Sequence, residues 1–152
     1  MLTSVVDLRS PISALVREAT HVSSNATLTS AARAMREANV SAVLVGPGRD
    51  AILTERDMAL ALAAEFPAEG PVSDIATPNP LIVLSTIDTL DAVTLMLNHQ
   101  VRHLVVESPG GTIGIVSLRE LMAVLLQAAK PEIWLSNMRV EVDMPLSEQW
   151  LG

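Results

Sequence analysis

Cysteine is absent from the 152 residues, which excludes disulfides, thiolate nucleophiles and cysteine-based zinc sites. That fits a reducing compartment. Aromatic residues are nearly absent too: Phe66, Trp134 and Trp150 are the three in the chain, so the core has to be built from Ala, Val, Leu, Ile and Met. No apolar run approaches the roughly 18 residues that a membrane helix needs, and the start "MLTSVVDLRSP" lacks the basic and long apolar stretches of a secretion signal. A cytoplasmic protein with no membrane partner is expected. Positive charge is also in short supply, with 10 basic against 17 acidic residues and a net charge of −7. A nucleic-acid-binding surface needs clustered Lys and Arg, and these are scattered. Nucleic acid is therefore not an expected partner, and an anionic ligand would depend on a few local arginines. What is present, 49% hydrophobic and 18% charged residues, is the balance of a folded globular chain.

The chain repeats itself. "PISAL" from Pro11 matches "PVSDI" from Pro71, "AARAM" from Ala31 matches "AVTLM" from Ala92, and "VSAVLV" from Val40 matches "VRHLVV" from Val101. "AILTERD" (51–57) then returns as "GIVSLRE" (114–120). The offset grows along the copies, and each increment falls in a connection, where loops absorb insertions. Within each copy, Val22 or Val83 sits in a short extended segment. Thr27 or Asp88 is a fitting N-cap for a helix whose Leu28, Ala31, Ala32 and Met35 recur at helical spacing. Two apolar, β-branched runs joined by a Pro/Gly turn read as a hairpin. Thr54 or Ser117 opens a second helix, with Met58 and Leu62, or Leu121 and Leu125, on one face. The order per unit is strand, helix, strand, strand, helix. The expected organisation is a lead-in (1–10), two repeats (11–66 and 67–127) and a tail (128–152). A unit of about 55 residues buries only about 60% of its unfolded surface, so the two should pair through their sheets and leave a cleft between them.

The repeated pattern of Gly, two aliphatics, Thr or Ser, two residues of any type and Asp, together with "VRHLVV", resembles the cystathionine β-synthase (CBS) domain family, and the tandem resembles the pair called a Bateman module. The resemblance runs from about Ile12 to Leu126. It implies an α/β (α+β) fold of two β-α-β-β-α repeats in a pseudo-two-fold pair, with an adenosyl ligand such as AMP, ADP, ATP or S-adenosylmethionine in the cleft and no required cofactor. In the first pocket it implies Asp57 on the ribose hydroxyls, Thr54 on ribose or phosphate, Ile52 and Leu53 on the strand entering the pocket, and Thr77, Pro78, Asn79 and Pro80 along the base. In the second it implies Ser117 and Glu120 with Gly114 and Ile115, with Arg102 and His103 near the phosphates and Ala19, Thr20 and His21 near the base. A hydroxyl beside the free N–H groups of a helix N-terminus can meet a phosphate. Two residues depart from the pattern: Ala51 stands for Gly, and Glu120 for Asp, which moves the carboxylate by about one bond length. The first pocket is therefore favoured over the second.

Plainer readings stand beside these. Thr54 with Asp57 is also an ordinary helix start. Arg56 and Arg119 either steer phosphate or act as solvated helix charges. His99 and His103 are four apart but belong to different elements, so no metal pair is expected. Met35, Met58, Met96 and Met122 fit core packing. The "GGTIG" turn lacks the Lys-Ser/Thr of a P-loop, and Ser117 has no nucleophile context, so no enzyme is expected. Met138, Val140, Val142 and Met144 alternate with charged residues as a strand would, and such a tail would pair with its own module or another chain. The resemblance thus implies a regulatory sensor, a homodimer signalling to an effector protein in trans. Its alternative is a dimerisation or docking module with vestigial pockets. Few local cations favour a ligand with few phosphates.

Overall fold

The computed structural model describes residues 8–129; the alternating segment 138–144 and both tryptophans lie outside them. In chain order the elements are β1 (Arg17–Glu18), β2 (His21–Val22), α1 (Leu28–Ala38), β3 (Ala42–Val45), β4 (Ala51–Thr54) and α2 (Glu55–Ala63). The order is then repeated as β5 (Thr77–Pro78), β6 (Ile82–Leu84), α3 (Thr89–His99), β7 (His103–Glu107), β8 (Ile113–Ser117) and α4 (Leu118–Ala129). Short 3-10 turns at Ile12–Leu15 and Val72–Asp74 open the two copies. Among the described residues no helix is long and apolar enough to cross a membrane.

Local chemistry starts and stops the helices. Thr27 and Asp88 accept hydrogen bonds from the N–H groups of Ser30 and Asp91, capping α1 and α3 and satisfying donors a helix start leaves free. Arg9 also binds Asp88 at 3.0 Å, and the Asp91 N–H followed by this guanidinium holds the Asp88 carboxyl below its ordinary pKa. The same two helices end on left-handed residues, Asn39 (φ 54°) and Gln100 (φ 55°), each donating its N–H back into the last turn. A non-glycine residue in that region is uncommon.

The two four-stranded sheets run β2-β3-β4-β5 and β1-β8-β7-β6. Each is three strands of one copy completed by the two-residue lead-in strand of the other. Arg17 and Glu18 pair with Ile115 and Gly114, while Thr77 and Pro78 pair with Ile52 and Ala51. The exchange goes deeper than the sheets. Ile12, fully buried, belongs to the core formed by Ala92, Val93, Met96, Leu104, Val106, Val116 and Leu121. Val72, its counterpart, belongs to the core of Val22, Ala31, Met35, Val43, Val45 and Leu53. Their main chains are tied accordingly, Ile12 N–H to Ile87 O and Val72 N–H to Ala26 O.

Period-two alternation sorts the strands between two faces. Val43, Val45 and Leu53 face one helical layer and Leu104, Val106 and Val116 the other. Ala42, Leu44, Ile52, Val105 and Ile115 form a small cluster between the sheets. Because both of their faces are covered, the central strands β3, β4, β7 and β8 are largely apolar along their buried stretches.

Two expected packing roles change. Leu62 is 75% exposed and Leu60 59%, and the buried residue of α2 is Ala61. A turn of α2 therefore packs through Met58 and Ala61, three apart, and not through Leu62, four beyond Met58. Met122, on α4, is 39% exposed and looks into a cleft, while Leu121 is buried beside it.

Gly114 and Ala51 are equivalent positions opposite the exchanged strands. A Cβ on Gly114 would lie 2.7 Å from the Arg17 carbonyl oxygen and 2.3 Å from Val16 Cγ1, so β1 approaches too closely for any side chain. Across β5 the Ala51 methyl has room and packs against the first core. Replacing Gly114 by Ala is expected to cost about 1–3 kcal/mol, the range for overpacking, in urea denaturation. Ala51→Gly should cost at most about 1 kcal/mol.

Candidate functional site

Two clefts open where the exchanged strands cross between the sheets. The first, of about 930 Å³, sits at the upper end of small-molecule sites, roughly 300–1,000 Å³; the second is about 720 Å³. In the first, the N-terminus of α2 meets β5 and the C-terminal end of α3. In the second, the N-terminus of α4 meets β1 and the C-terminal end of α1.

Thr54 ends β4 and caps α2, because its hydroxyl accepts the Asp57 N–H at 3.2 Å while Asp57 Oδ2 accepts the Thr54 N–H at 2.9 Å. This is a reciprocal capping box. Oδ2 also accepts from the Thr54 hydroxyl at 3.1 Å, and Oδ1 accepts from the Thr77 hydroxyl at 3.2 Å. The helix-start reading of this pair is therefore realised, and the carboxylate is held in place by it. Three of roughly four acceptor positions on a carboxylate are filled, one of them by the exchanged strand. In the second cleft the box is half made: Ser117 donates to Glu120 Oε1 at 3.0 Å and accepts the Glu120 N–H at 3.2 Å. The longer side chain reaches its own cap hydroxyl through one oxygen.

The first cleft brings together Ile52, Thr54, Arg56, Asp57, Thr77, Asn79 and Pro80. Leu53 is outside it, fully buried, since alternation turns it from Ile52's face into the helical core. Pro78 is outside as well, lying in register with Ala51. The second cleft brings together Ser117, Glu120, Ile115, His103, Arg119, Ala19 and Thr20. Gly114 is covered by β1, and the His21 ring turns away to bind Gly46 O at 2.9 Å through Nδ1. Arg102 is displaced from the second cleft to the first, because the segment between α3 and β7 borders the first; its repeat counterpart at the second is Ser41. Arg56, Arg102 and Arg119 thus converge on one cleft, more local positive charge than scattered arginines suggest.

Sequence reasoning missed the helix C-terminal walls: His99, Gln100 and Val101 in the first cleft, and Arg36, Asn39 and Val40 in the second. The repeat carried a usable signal, since Asn39-Val40 and Gln100-Val101 occupy the same offset just ahead of the central strands.

His103 lies between the clefts and lines both. It stands where the first copy has Ala42, on the strand face directed at the other sheet, and its Nε2 is hydrogen-bonded to Ser41 Oγ at 2.7 Å. Burial holds its pKa below 6.5, Arg102 pushes the same way, and Asp57 opposes them.

This fold and its paired clefts define a tandem CBS-domain module. The CBS domain family model matches residues 72–127. The chain is 34% identical over 103 residues to the CBS domain-containing protein YhcV of Bacillus subtilis, covering 66% of this chain and 74% of that one. The chain belongs to the CBS-domain family. It is also 35% identical over 109 residues to an uncharacterized 17.7 kDa protein of Acidianus ambivalens, covering 69% of this chain and 66% of that relative's length. Among solved structures, the CBS domain protein PAE2072 of Pyrobaculum aerophilum, complexed with AMP, superposes with a TM-score of 0.65 at 29% identity, over 78% of this chain and 98% of that one.

A depressed histidine pKa means that the unfolded chain binds more protons below about pH 6.5, so stability should fall as pH drops through that value and the penalty is complete below the folded pKa. We expect a lower urea midpoint at about pH 5.5 than at about pH 7.5. His103→Gln, which keeps a hydrogen-bonding group but cannot take up a proton, should shrink that difference; an undiminished difference would place the titration elsewhere.

Proposed function

We propose that the protein is a nucleotide sensor that binds an adenine nucleotide or related adenosyl ligand in the first cleft and performs no catalysis. The observation that carries this reading is the arrangement around Asp57: a fixed carboxylate and the Thr54 hydroxyl on one wall, with Arg56, Arg102 and Arg119 lining the same cleft. A ribose presents hydroxyl donors and a phosphate presents charge. One ribose hydroxyl would take the open acceptor position of Asp57, and the other would replace the Thr77 hydroxyl. The AMP held by the Pyrobaculum protein supports the same class of ligand. Asn79, Pro80 and Ile52 would flank the base.

The reading extends to a homodimer acting on an effector protein in trans. Leu60 and Leu62 on α2, and Leu97 on α3, leave apolar side chains in water, which contact with a second copy would cover. Sedimentation should then give twice the 16.2 kDa chain mass, and a monomer at working concentration would remove the dimer from the proposal.

Thermal unfolding with AMP tests the ligand. At 100 times its dissociation constant a ligand adds about 2.7 kcal/mol to stability, and this increment should vanish in Asp57→Ala. The increment is the quantity to compare, since the substitution also removes half of the capping box and lowers the baseline. A folded, nucleotide-free protein that gains no stability from any adenosyl ligand would return the assignment to a docking module.

A further inference from the structure

The two sheets have four edge strands, β2 and β5 in one and β1 and β6 in the other. An exposed edge invites pairing with another strand, and charge, proline or short length blunts it. β1 is Arg17–Glu18 and β5 ends on Pro78. β2 is two residues long, with the His21 ring hydrogen-bonded to Gly46 O. β6 lacks such protection: it is Ile82, Val83 and Leu84, with Ile82 39% and Leu84 62% exposed. We propose that residues 138–144 of the same chain dock on this edge as a fifth strand of the second sheet, with Met138, Val140, Val142 and Met144 beside Ile82 and Leu84.

Three observations carry this. The first is the main chain of β6. Leu81 O accepts the Val105 N–H and the Ser85 N–H donates to Glu107 O, so the odd-numbered residues turn their main-chain groups to β7. Those of Ile82 and Leu84 are turned to the free edge by the alternation of a strand. Leu84 O accepts the Ile87 N–H, and the Ile82 N–H and C=O and the Leu84 N–H are left for an added strand. The second is pattern. Met138, Val140, Val142 and Met144 alternate with Arg139, Glu141 and Asp143, so a strand there has one apolar face to lay beside the two exposed aliphatics, and such cross-strand pairs stabilise a sheet. The third is reach. α4 ends at Ala129 and packs against α3, the helix that follows β6. β6 lies two strand spacings, about 10 Å, from β8, and the eight residues 130–137 can span about 26–29 Å. A tether of that length gives an effective concentration in the millimolar range, which favours the chain's own segment over that of a second copy.

Amide hydrogen exchange of the whole chain tests it, with the Val83 N–H, turned to β7, reporting that the sheet is intact. The Ile82 and Leu84 amides are expected to exchange at least tenfold more slowly in the wild type than in Val140→Asp/Val142→Asp, with Val83 unchanged. Fast exchange at Ile82 and Leu84 in the wild type, with Val83 protected, would overturn the docking. The chain has no cysteine of its own, so Leu84→Cys combined with Val140→Cys or with Val142→Cys identifies whose segment is there. A disulfide within one chain, at unchanged mass on a non-reducing gel, is expected. Disulfide-linked pairs of chains would overturn the assignment to the same chain and give the edge to a second copy.

Discussion

Ile12 and Val72 each sit, fully buried, in the core formed by the other copy, and almost everything else in the structure depends on that exchange. Neither repeat can complete its own sheet or core: the first lacks its fourth strand until β5 arrives, the second until β1 does. Two units of this size, folding separately, would be marginal because so little of their surface is buried. Exchange makes their stabilities one quantity. The main-chain hydrogen bonds from Leu28 to Gly70 and from Thr89 to Ser10 place the start of each first helix against the lead-in to the opposite copy, so capping, sheet closure and core filling are set by one crossing. The clefts are a by-product of the same crossing. The chain has to pass from one sheet to the other at Ala19–Thr20 and again at Asn79–Leu81, and side chains flanking these passages line the openings.

Symmetry of the backbone with asymmetry of the side chains is the second theme. The pseudo-two-fold relation makes Leu44 equivalent to Val105 and Ile52 equivalent to Ile115 in the cluster between the sheets, where apolar residues substitute for one another at little cost in packing. At the edge of that cluster the exchange is not conservative: His103 takes the position of Ala42. A histidine there needs a partner, and Ser41 of the first unit supplies it. Arg49 at the end of the first hairpin loop pairs with Glu107 at the end of β7, a second polar link between the units, and both of its partners are more than a third exposed. Such an exposed pair contributes little to stability, whereas the half-buried His103 is sensitive to protonation because burial opposes its charge.

Much of this was legible in the sequence, and the limits have physical causes. Thr27, Asp88 and Thr54 were readable as helix starts because capping is local chemistry. The hairpins were readable because two apolar runs flank a Pro/Gly turn. Exchange of the lead-ins was not readable, since "RE" and "TP" are two-residue strands with no periodicity to detect, and nothing local says which sheet they join. Leu53 is a different case, because period-two alternation puts Ile52 and Thr54 on one face of β4 and Leu53 on the other, a signal present in the sequence itself. The place of Arg102 in the first cleft was not readable for a related reason: the segment after α3 faces the pocket of the other motif, and the repeat alone does not say which motif each helix end faces. Leu62 and Met122 show the limit of helical periodicity, which marks an apolar stripe but does not tell a core contact from a cleft wall or an exposed surface.

Asp57 ties these strands of argument together. Its carboxylate caps α2 of the first unit and accepts the Thr77 hydroxyl of the segment that leads into the second, so one side chain holds both a helix end and a crossing. On the proposed reading a ribose hydroxyl competes for the position Thr77 occupies. Binding would then exchange a contact between the units for a contact to the ligand, and would do so at a point where the two sheets are already coupled through their lead-ins. A ligand shifts a conformational equilibrium only to the extent that it binds the two arrangements differently. The Thr77 hydroxyl supplies such a difference, because the arrangement in which β5 stands closest to α2 is the one in which Asp57 has the least capacity left for a ribose.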